Sequence, residues 1–269
     1  MLKDSIDKLG GGLLKILRIP RSSVNYYELR IIESVALESP KVIIDVGART
    51  DIFFARLRCY ECRVFHIEGS KYFHRILKIK LIFLGLFNDS VSISNFFVSQ
   101  QNAETSVYYP KSQSLYRNVM LPQDKPRVLN VRQMRLDSFC TAMDINQIDF
   151  IKFDIEGGDY CGLVSLGNYI EKCKYIQFEL GVKQSWLGIS LTSSMYLDLL
   201  KPSFSLYLVR DDRNPFFDSM HESVDLIEFN IKALQVVEKF QDRMFGFNCF
   251  GISKQFNLKV PQGLKVATL

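Results

Sequence analysis

The fold is decided by one stretch, Ile148-Asp149-Phe150-Ile151-Lys152-Phe153-Asp154-Ile155-Glu156-Gly157-Gly158-Asp159, in which apolar and charged residues alternate. Successive side chains of a strand face opposite sides, so the charged positions of this predicted strand share one face. These positions are Lys152, Asp154 and Glu156. A strand of a parallel sheet is covered on both faces, so such charges are costly unless they are paired or take part in chemistry. Two carboxylates followed by Gly-Gly lie where open α/β sheets bind ligands, at the carboxyl end of a strand.

Predicted strands and helices alternate on both sides of this stretch, from Lys41 onward. The strands are predicted at 42–46, 63–68, 92–99, 106–109, 128–135, 149–155, 175–180, 204–209 and 247–253. Helices are predicted at 22–38, 70–86 and 192–201 and around 160–168. A further helix follows Gly47 and ends at Leu57, and a short one begins at Ser138. Alternation of this kind predicts a parallel, doubly wound α/β sheet. The polar segment 211–245 is predicted to be an insertion or a lid.

Apolar content and net charge limit the classes of protein to which the chain can belong. The chain has 269 residues, of which 47% are apolar, and this is enough for a sizeable core. The net charge of +5 comes from scattered Lys and Arg rather than a basic run, which argues against nucleic-acid binding. The same slight excess would favour an anionic substrate or a membrane surface.

The cysteines and the apolar runs indicate a cytoplasmic protein. The six cysteines are irregularly spaced and no second pair accompanies Cys59 and Cys62, so they are predicted to be buried, reduced thiols rather than a zinc ribbon. We recognise no signal peptide, and the longest apolar run, Leu81 to Phe87, is too short to span a bilayer.

The N-terminal segment has its own pattern. Residues 2–18 resemble a basic amphipathic helix that is interrupted by Gly10-Gly11-Gly12. Such a helix could pack on the edge of the domain or contact a membrane surface or a partner, which would make the protein membrane-peripheral. We therefore divide the chain into an N-terminal helical segment (1–38), the main domain (39–255) and a C-terminal tail (256–269).

Two strand ends suggest a nucleoside site. The first strand ends at Asp45-Val46-Gly47-Ala48, and a glycine at a strand-to-helix turn lets the backbone approach a ligand closely, although any α/β protein can have such a turn. The pattern G-x-G-x-x-G is absent, which argues against a dinucleotide-binding dehydrogenase. Glu68 ends the second strand, where an acidic residue can accept hydrogen bonds from both ribose hydroxyls. Alone, Glu68 would more often be a solvated loop carboxylate, but Asp45 and Gly47 upstream favour the nucleoside site.

Taken in order, these motifs resemble the FkbM family of S-adenosylmethionine-dependent methyltransferases over roughly residues 41–254. The matching segments are Val42-Ile43-Ile44-Asp45-Val46-Gly47-Ala48, Val64-Phe65-His66-Ile67-Glu68, Phe97 to Glu104, Leu136-Asp137-Ser138-Phe139, Ile148 to Gly157, Ile176-Gln177-Phe178-Glu179 and Phe247-Asn248-Cys249-Phe250. The most specific part is the Leu-Asp helix start followed by the Lys-x-Asp-x-Glu-Gly strand.

The resemblance implies a class I methyltransferase (Rossmann-like) fold, with a mostly parallel, seven-stranded sheet and helices on both faces. It implies that S-adenosylmethionine binds at Asp45, Gly47, Ala48, Glu68 and Ser99, with Asp45 and Gly47 by its methionine part and Glu68 at its ribose. Asp154, Glu156 and Glu179 would then line the reaction pocket. The implied acceptors are sugars, glycans, glycolipids or other small hydroxylated molecules of polysaccharide or natural-product biosynthesis.

The acceptor hydroxyl must lose a proton, so a general base is expected. The candidates are Asp154, Glu156, Glu179 and His221, although the charges of the Lys152 strand could instead form a structural ion-pair network. Clustered carboxylates could also bind a divalent ion such as Mg²⁺, but a single Asp-x-Glu is poor evidence for a metal.

One position departs from the family pattern. The family continues its first motif as Asn-x-Gly, whereas this chain has Arg49-Thr50-Asp51. The Asp51 side chain would add bulk and negative charge close to the cofactor, although an Asp is favourable at a helix start. The alternative hypothesis is therefore a catalytically degenerate binding or scaffold protein with weakened cofactor affinity.

Overall fold

A computed structural model describes residues 26–57, 61–109, 127–155, 158–180, 185–186, 189–190, 192–212, 214–217, 224–240 and 247–268. The predicted helix over 2–18, Glu156 and His221 lie outside the described residues. The statements below concern the described part of the chain.

The centre of the molecule is a nine-stranded sheet with the order β14-β12-β11-β13-β8-β7-β1-β2-β3. Its strands are β1 (Val42–Val46), β2 (Arg63–Ile67), β3 (Val91–Ser94), β7 (Ile148–Phe153), β8 (Cys173–Leu180), β11 (Phe204–Val209), β12 (Leu226–Glu228), β13 (Phe247–Ser253) and β14 (Val266–Ala267). Seven neighbouring strands of the sheet, in the spatial order β11-β13-β8-β7-β1-β2-β3, run parallel to one another except β13. This strand is antiparallel to both of its neighbours, β11 and β8. These seven strands confirm the expected class I methyltransferase fold.

Two small sheets accompany the large one. β4 (Phe97–Val98), β5 (Ala103–Tyr109) and β6 (Arg127–Met134) form a three-stranded sheet in the order β4-β6-β5. β9 (Ser185–Trp186) and β10 (Ile189–Ser190) form an antiparallel pair.

Helices cover both faces of the large sheet, as the alternating sequence predicts. The helices are α1 (Tyr26–Ala36), α2 (Phe53–Leu57), α3 (Lys71–Phe83), α4 (Leu136–Ala142), α5 (Asp159–Ser165), α6 (Ser193–Leu200) and α7 (Ile231–Phe240), with 3-10 turns at Gly167–Lys172 and Pro215–Phe217. One apolar core holds side chains of α4 to α7 and the other holds side chains of α1, α2 and α3. Successive residues of β1 enter opposite cores, so Ile43 and Ile44 belong to different cores.

The structure corrects two details of the expected sheet. The predicted third strand, 92–99, is two short strands, because the Asn95 side chain donates hydrogen bonds to the carbonyl oxygens of Glu68 (2.7 Å) and Gly69 (3.0 Å) and turns the chain between them. The large sheet has nine strands rather than seven, because β12 and β14 extend it beyond β11. β12 and α7 both lie within the predicted insertion at 211–245.

Candidate functional site

The strand order reverses between β1 and β7, and the crevice at such a point is where open α/β sheets bind ligands. Here the Val46 carbonyl accepts the backbone N–H of Asp154 at 2.9 Å. Gly47 has φ +83°, and a Cβ at this position would lie 2.1 Å from the carbonyl oxygen of Asp154. Only glycine fits this turn, so the two backbones meet closely at the crevice.

Glu68 is tied to the loop that follows β1. Its Oε2 accepts the backbone N–H of Arg49 at 2.8 Å, and its Oε1 accepts that of Ser70 at 2.7 Å. The side chain is buried, and burial raises its pKa, while these two hydrogen bonds oppose the shift. Each carboxylate oxygen has a second lone pair, so both can still accept a hydrogen bond from a ligand.

A row of polar side chains crosses four adjacent strands on the face covered by α1. His66, Asp45, Lys152 and Gln177 are register partners on β2, β1, β7 and β8, so their side chains point to the same face. The Nδ1 atom of His66 lies 2.9 Å from Oδ2 of Asp45, and both residues are buried. The ion pair of Lys152 Nζ with Oδ2 of Asp154, also 2.9 Å, connects the row to the crevice.

Lys152 is the positive centre of this network. Burial alone would lower its pKa, but the negative charges of Asp154, Asp45 and Glu28 outweigh burial and raise it. Glu28 comes from α1 and accepts a hydrogen bond from the side chain of Asn248 on β13. The network therefore includes both the first described helix and the last long strand.

Asp159 lies beside this network at the first residue of α5. Its side chain is fully buried, and Oδ1 accepts the backbone N–H of Glu179 at 3.1 Å. Burial and the charge of Glu179 raise its pKa to about 8. Among the described residues, neither Oδ2 of Asp159 nor the side-chain amide of Gln177 has a hydrogen-bond partner. The sequence analysis did not assign these two residues to the site.

Asp51 caps the short helix α2. Its Oδ1 accepts the backbone N–H of Phe53 at 2.8 Å, which is a local turn typical of Asp. Burial and the charge of Asp45 raise the pKa of this carboxyl. The buried Lys80 Nζ donates to the neighbouring Thr50 carbonyl at 3.1 Å, and burial lowers its pKa against the attraction of Asp51.

The predicted site residues fall into three groups. The carboxyl ends of β1, β2, β7 and β8 bring together Asp45, Gly47, Glu68, Asp154 and Glu179. Ala48 is buried directly after Gly47, while Ser99 is buried at the end of β4 and donates its backbone N–H to the Met134 carbonyl at 3.1 Å. Glu156 lies outside the described residues.

The described residues also bear on metal binding, on the state of the cysteines and on membrane spans. Within the described ranges, no group of three or more His, Cys, Asp or Glu side chains is arranged to hold a metal ion. Cys62, Cys140, Cys161, Cys173 and Cys249 form no disulfide and are buried, as predicted for these five positions. In the part of the chain that the structure covers, every helix is too short or too polar to cross a bilayer.

Comparison with known proteins agrees with the motif analysis. Residues 45–199 match the model of the methyltransferase FkbM domain, which is more than half of the chain. No curated protein matches the chain.

Solved structures similar to the chain include an O-methyltransferase from Bacillus cereus in complex with SAH, with a TM-score of 0.46 and 12% identity over 90% of this chain and 91% of that one. Methyltransferase FkbM from Methylobacillus flagellatus KT has a TM-score of 0.44 and 15% identity over 79% of this chain. The bifunctional kinase-methyltransferase WbdD has a TM-score of 0.46 and 11% identity over 85%. The match covers 44% of the Methylobacillus protein and 39% of WbdD.

Proposed function

The chain belongs to the FkbM family of methyltransferases, and from this premise we propose that it methylates a hydroxyl group of a sugar, a glycan or another small hydroxylated acceptor. As a family member it is an S-adenosylmethionine-dependent methyltransferase. The observation that carries the proposal is the crevice between β1 and β7, where Gly47, Glu68 and Asp154 meet at the carboxyl edge of the sheet. A sugar hydroxyl suits a pocket in which carboxylates can accept its hydrogen bond and its proton.

The residues at the crevice fit the cofactor. Gly47 holds the turn after β1 against the Asp154 backbone at the crevice, and we assign this turn, with Ala48 next to it, to the methionine part of the cofactor. The Glu68 carboxylate is held by two backbone N–H groups and keeps acceptor capacity for the ribose hydroxyls. Asp45 and Ser99 complete the proposed binding set.

The cofactor supplies a methyl group on a positively charged sulfur when it is bound. We assign the proton-accepting role to Asp154, because its side chain is 41% exposed while Asp45 and Asp159 are buried. Lys152 holds its Oδ2, which leaves Oδ1 to accept the proton of the acceptor hydroxyl. Glu179, half-buried on the next strand, and Glu156 would position the acceptor beside Asp154.

The proposed setting is the cytoplasm, where the buried free thiols would stay reduced. Peripheral contact with a membrane through residues 2–18 would suit a glycolipid or polysaccharide acceptor. No observation favours a particular sugar.

Binding of S-adenosylmethionine, measured by isothermal titration calorimetry, tests the cofactor site. Replacing Glu68 by Ala removes both acceptors for the ribose, and because bonds to a charged group contribute about 1.5–3 kcal/mol each, affinity should fall at least about tenfold. Glu33→Ala, at an exposed position of α1, is the matched control and should bind as the unmodified protein does. An unchanged dissociation constant for the Glu68 variant would reject the ribose role.

Transfer to hydroxylated acceptors tests the reaction. With labelled S-adenosylmethionine and a panel of sugars and glycans, mass spectrometry should find a product heavier by one methylene group. Label that appears only on amine or thiol compounds would contradict the proposed acceptor class, without affecting the cofactor site.

A further inference from the structure

Helix α3 (Lys71–Phe83) is apolar on two opposite sides. Its inner side contributes the buried Leu77 and Leu81 to the core. Its outer side and the turn after it expose large apolar side chains, with the exposed fraction given for each: Tyr72 (68%), Ile79 (49%), Ile82 (55%), Phe83 (53%), Leu84 (38%) and Phe87 (40%). Isolated exposed apolar residues are ordinary, but a contiguous group of this kind marks an interaction surface.

The charged side chains of α3 itself are all positive. No Asp or Glu occurs between Lys71 and Phe87, whereas Lys71, Arg75 and Lys78 are exposed along the same helix. The Lys78 Nζ lies 5.7 Å from the centroid of the Phe87 ring, so a cation borders the apolar group directly. Lysine and arginine can lay their apolar stems along such a surface while their charged ends reach outward.

We propose that this outer side of α3, together with Leu84 and Phe87, is a docking surface for a membrane that contains anionic lipids. An amphipathic helix that lies flat in the bilayer interface combines an apolar side carrying aromatic residues with flanking Lys and Arg, and α3 has this combination. A symmetric dimer through the same surface would place like charges against each other, so a second copy of the chain is disfavoured. The proposal rests on this surface alone and is independent of the acceptor and of the assigned catalytic residues.

The position of α3 relates the docking surface to the crevice between β1 and β7. The helix starts three residues after Glu68, at the carboxyl edge of the sheet, and its 13 residues extend about 20 Å away from that edge. A bilayer along α3 would contact Tyr72 near the crevice and the residues from Ile79 to Phe87 toward the far end, so an acceptor anchored in it would reach the crevice from the Tyr72 end.

Vesicle flotation tests the surface with the full-length chain. Vesicles of phosphatidylcholine with phosphatidylglycerol should bind the protein, vesicles of phosphatidylcholine alone should bind it much more weakly, and added salt should weaken binding. The triple variant Ile79→Ser, Ile82→Ser and Phe83→Ser should reduce the partition coefficient at least tenfold. Arg75→Gln with Lys78→Gln should reduce it on anionic vesicles by about fivefold per charge.

The controls are Leu37→Ser, at a 76% exposed position outside the surface, and Lys259→Gln, at an exposed position near the C-terminus. Both should bind as the unmodified protein does, and all variants should melt at its temperature, because the changed side chains are exposed. Three outcomes would overturn the proposal: no binding to anionic vesicles, full binding by the triple variant, or lipid-free dimerisation that the triple variant abolishes while vesicle binding persists. Retention of binding by the triple variant would assign any membrane contact to another segment, such as residues 2–18.

Discussion

Asp51 stabilises the start of α2, and its negative charge is expected to weaken binding of the cofactor. Its carboxylate accepts the Phe53 N–H at the start of α2, yet it stands close enough to Asp45 for that charge to raise its pKa. The site therefore carries two acidic groups next to the turn at Gly47. The cofactor carries a carboxylate beside its ammonium and sulfonium groups, so an additional negative charge here weakens binding where it faces that carboxylate.

We predict that Asp51→Asn binds S-adenosylmethionine more tightly than the unmodified protein. The amide oxygen can still accept the Phe53 N–H, so the charge is removed while the cap is kept. Asp51→Gly should also bind more tightly and unfold only slightly more easily, because glycine in place of a capping residue costs about 0.3 kcal/mol. Calorimetric titration and thermal melting separate the two effects, and equal or weaker binding by the Asn variant would show that Asp51 is an adapted part of the pocket.

Asp159 should make stability depend on pH. Its pKa is raised from 3.8 to about 8, so the folded state holds a proton that the unfolded chain releases. The stability from this proton is fully present below about pH 4 and is lost as the pH rises through about 8, with a slope of up to about 1.4 kcal/mol per pH unit. Replacing Asp159 by Asn should remove this slope.

Urea unfolding of the unmodified protein and of Asp159→Asn across this pH range measures the difference between their free energies of unfolding. A difference is needed because Glu68 and Asp51 also have raised pKa values and titrate in both proteins. Glu33→Gln serves as a control at an exposed position. If the Asn variant lost stability between pH 4 and 8 as steeply as the unmodified protein, Asp159 would not be the group responsible.

Strand ends explain which site residues could be predicted. Asp45, Glu68 and Asp154 each end or follow a recognisable strand, and parallel strands bring their carboxyl ends to one edge, so the sequence indicates that they meet. Gln177 and Asp159 carry no such signal, because their role depends on burial against other elements. Glu28 belongs to a helix that precedes the first motif, and only the packing of α1 brings it to Lys152.

Among the elements, β7 carries Lys152 and is followed directly by Asp154, and these two charged residues have different surroundings. Lys152 is buried among several acidic groups, whereas Asp154 is 41% exposed. The structural ion-pair network, one of the two alternatives from the sequence, therefore includes Lys152, whereas a pocket role for the exposed Asp154 remains our proposal.

We predict that Lys152→Met destabilises the protein by about 3–5 kcal/mol, because it leaves Asp45 without its main cation in a buried site. Asp154→Asn should cost less than about 1 kcal/mol, since Lys152 keeps Asp45 and Glu28 as partners. The same variant should lose turnover by at least about a hundredfold if Asp154 accepts the proton. Thermal melts beside a methyl-transfer assay decide this, and a loss of activity proportionate to destabilisation would contradict the catalytic role.

The elements themselves differ in how well the sequence predicts them. The long strands and the flanking helices have clear periodicity over five or more residues and occur close to the predicted bounds. The break between β3 and β4 was missed, because Asn95 ends the strand through side-chain bonds to Glu68 and Gly69, which are distant in sequence. β12 and β14 have three and two residues, too few for a periodic pattern.

At the scale of the whole molecule, contacts on one face of the sheet join α1 to the C-terminal residues around Lys265. Arg30 on α1 forms an ion pair with Asp225, just before β12, and donates to the Gly263 carbonyl at 2.6 Å. Asp225 in turn accepts the backbone N–H of Lys265 at 2.8 Å, next to β14. The N-terminal segment and the C-terminal tail, which the sequence analysis separated from the main domain, are thus connected through one buried carboxylate.

We predict that Arg30→Met destabilises the whole molecule rather than one end of it. The Asp225 side chain is 1% exposed, and removing its cation leaves a buried charge, which should cost about 3 kcal/mol. The double variant Arg30→Met with Asp225→Asn should recover part of this loss, because the uncompensated charge is gone while an acceptor for the Lys265 N–H remains. Hydrogen exchange supplies the spatial readout: if the ends form one cooperative unit with the sheet, amides of β12, β14 and α1 should lose protection together in the single variant. Faster exchange confined to residues 263–267 would instead show that the tail opens independently, and would support the division of the chain at residue 255.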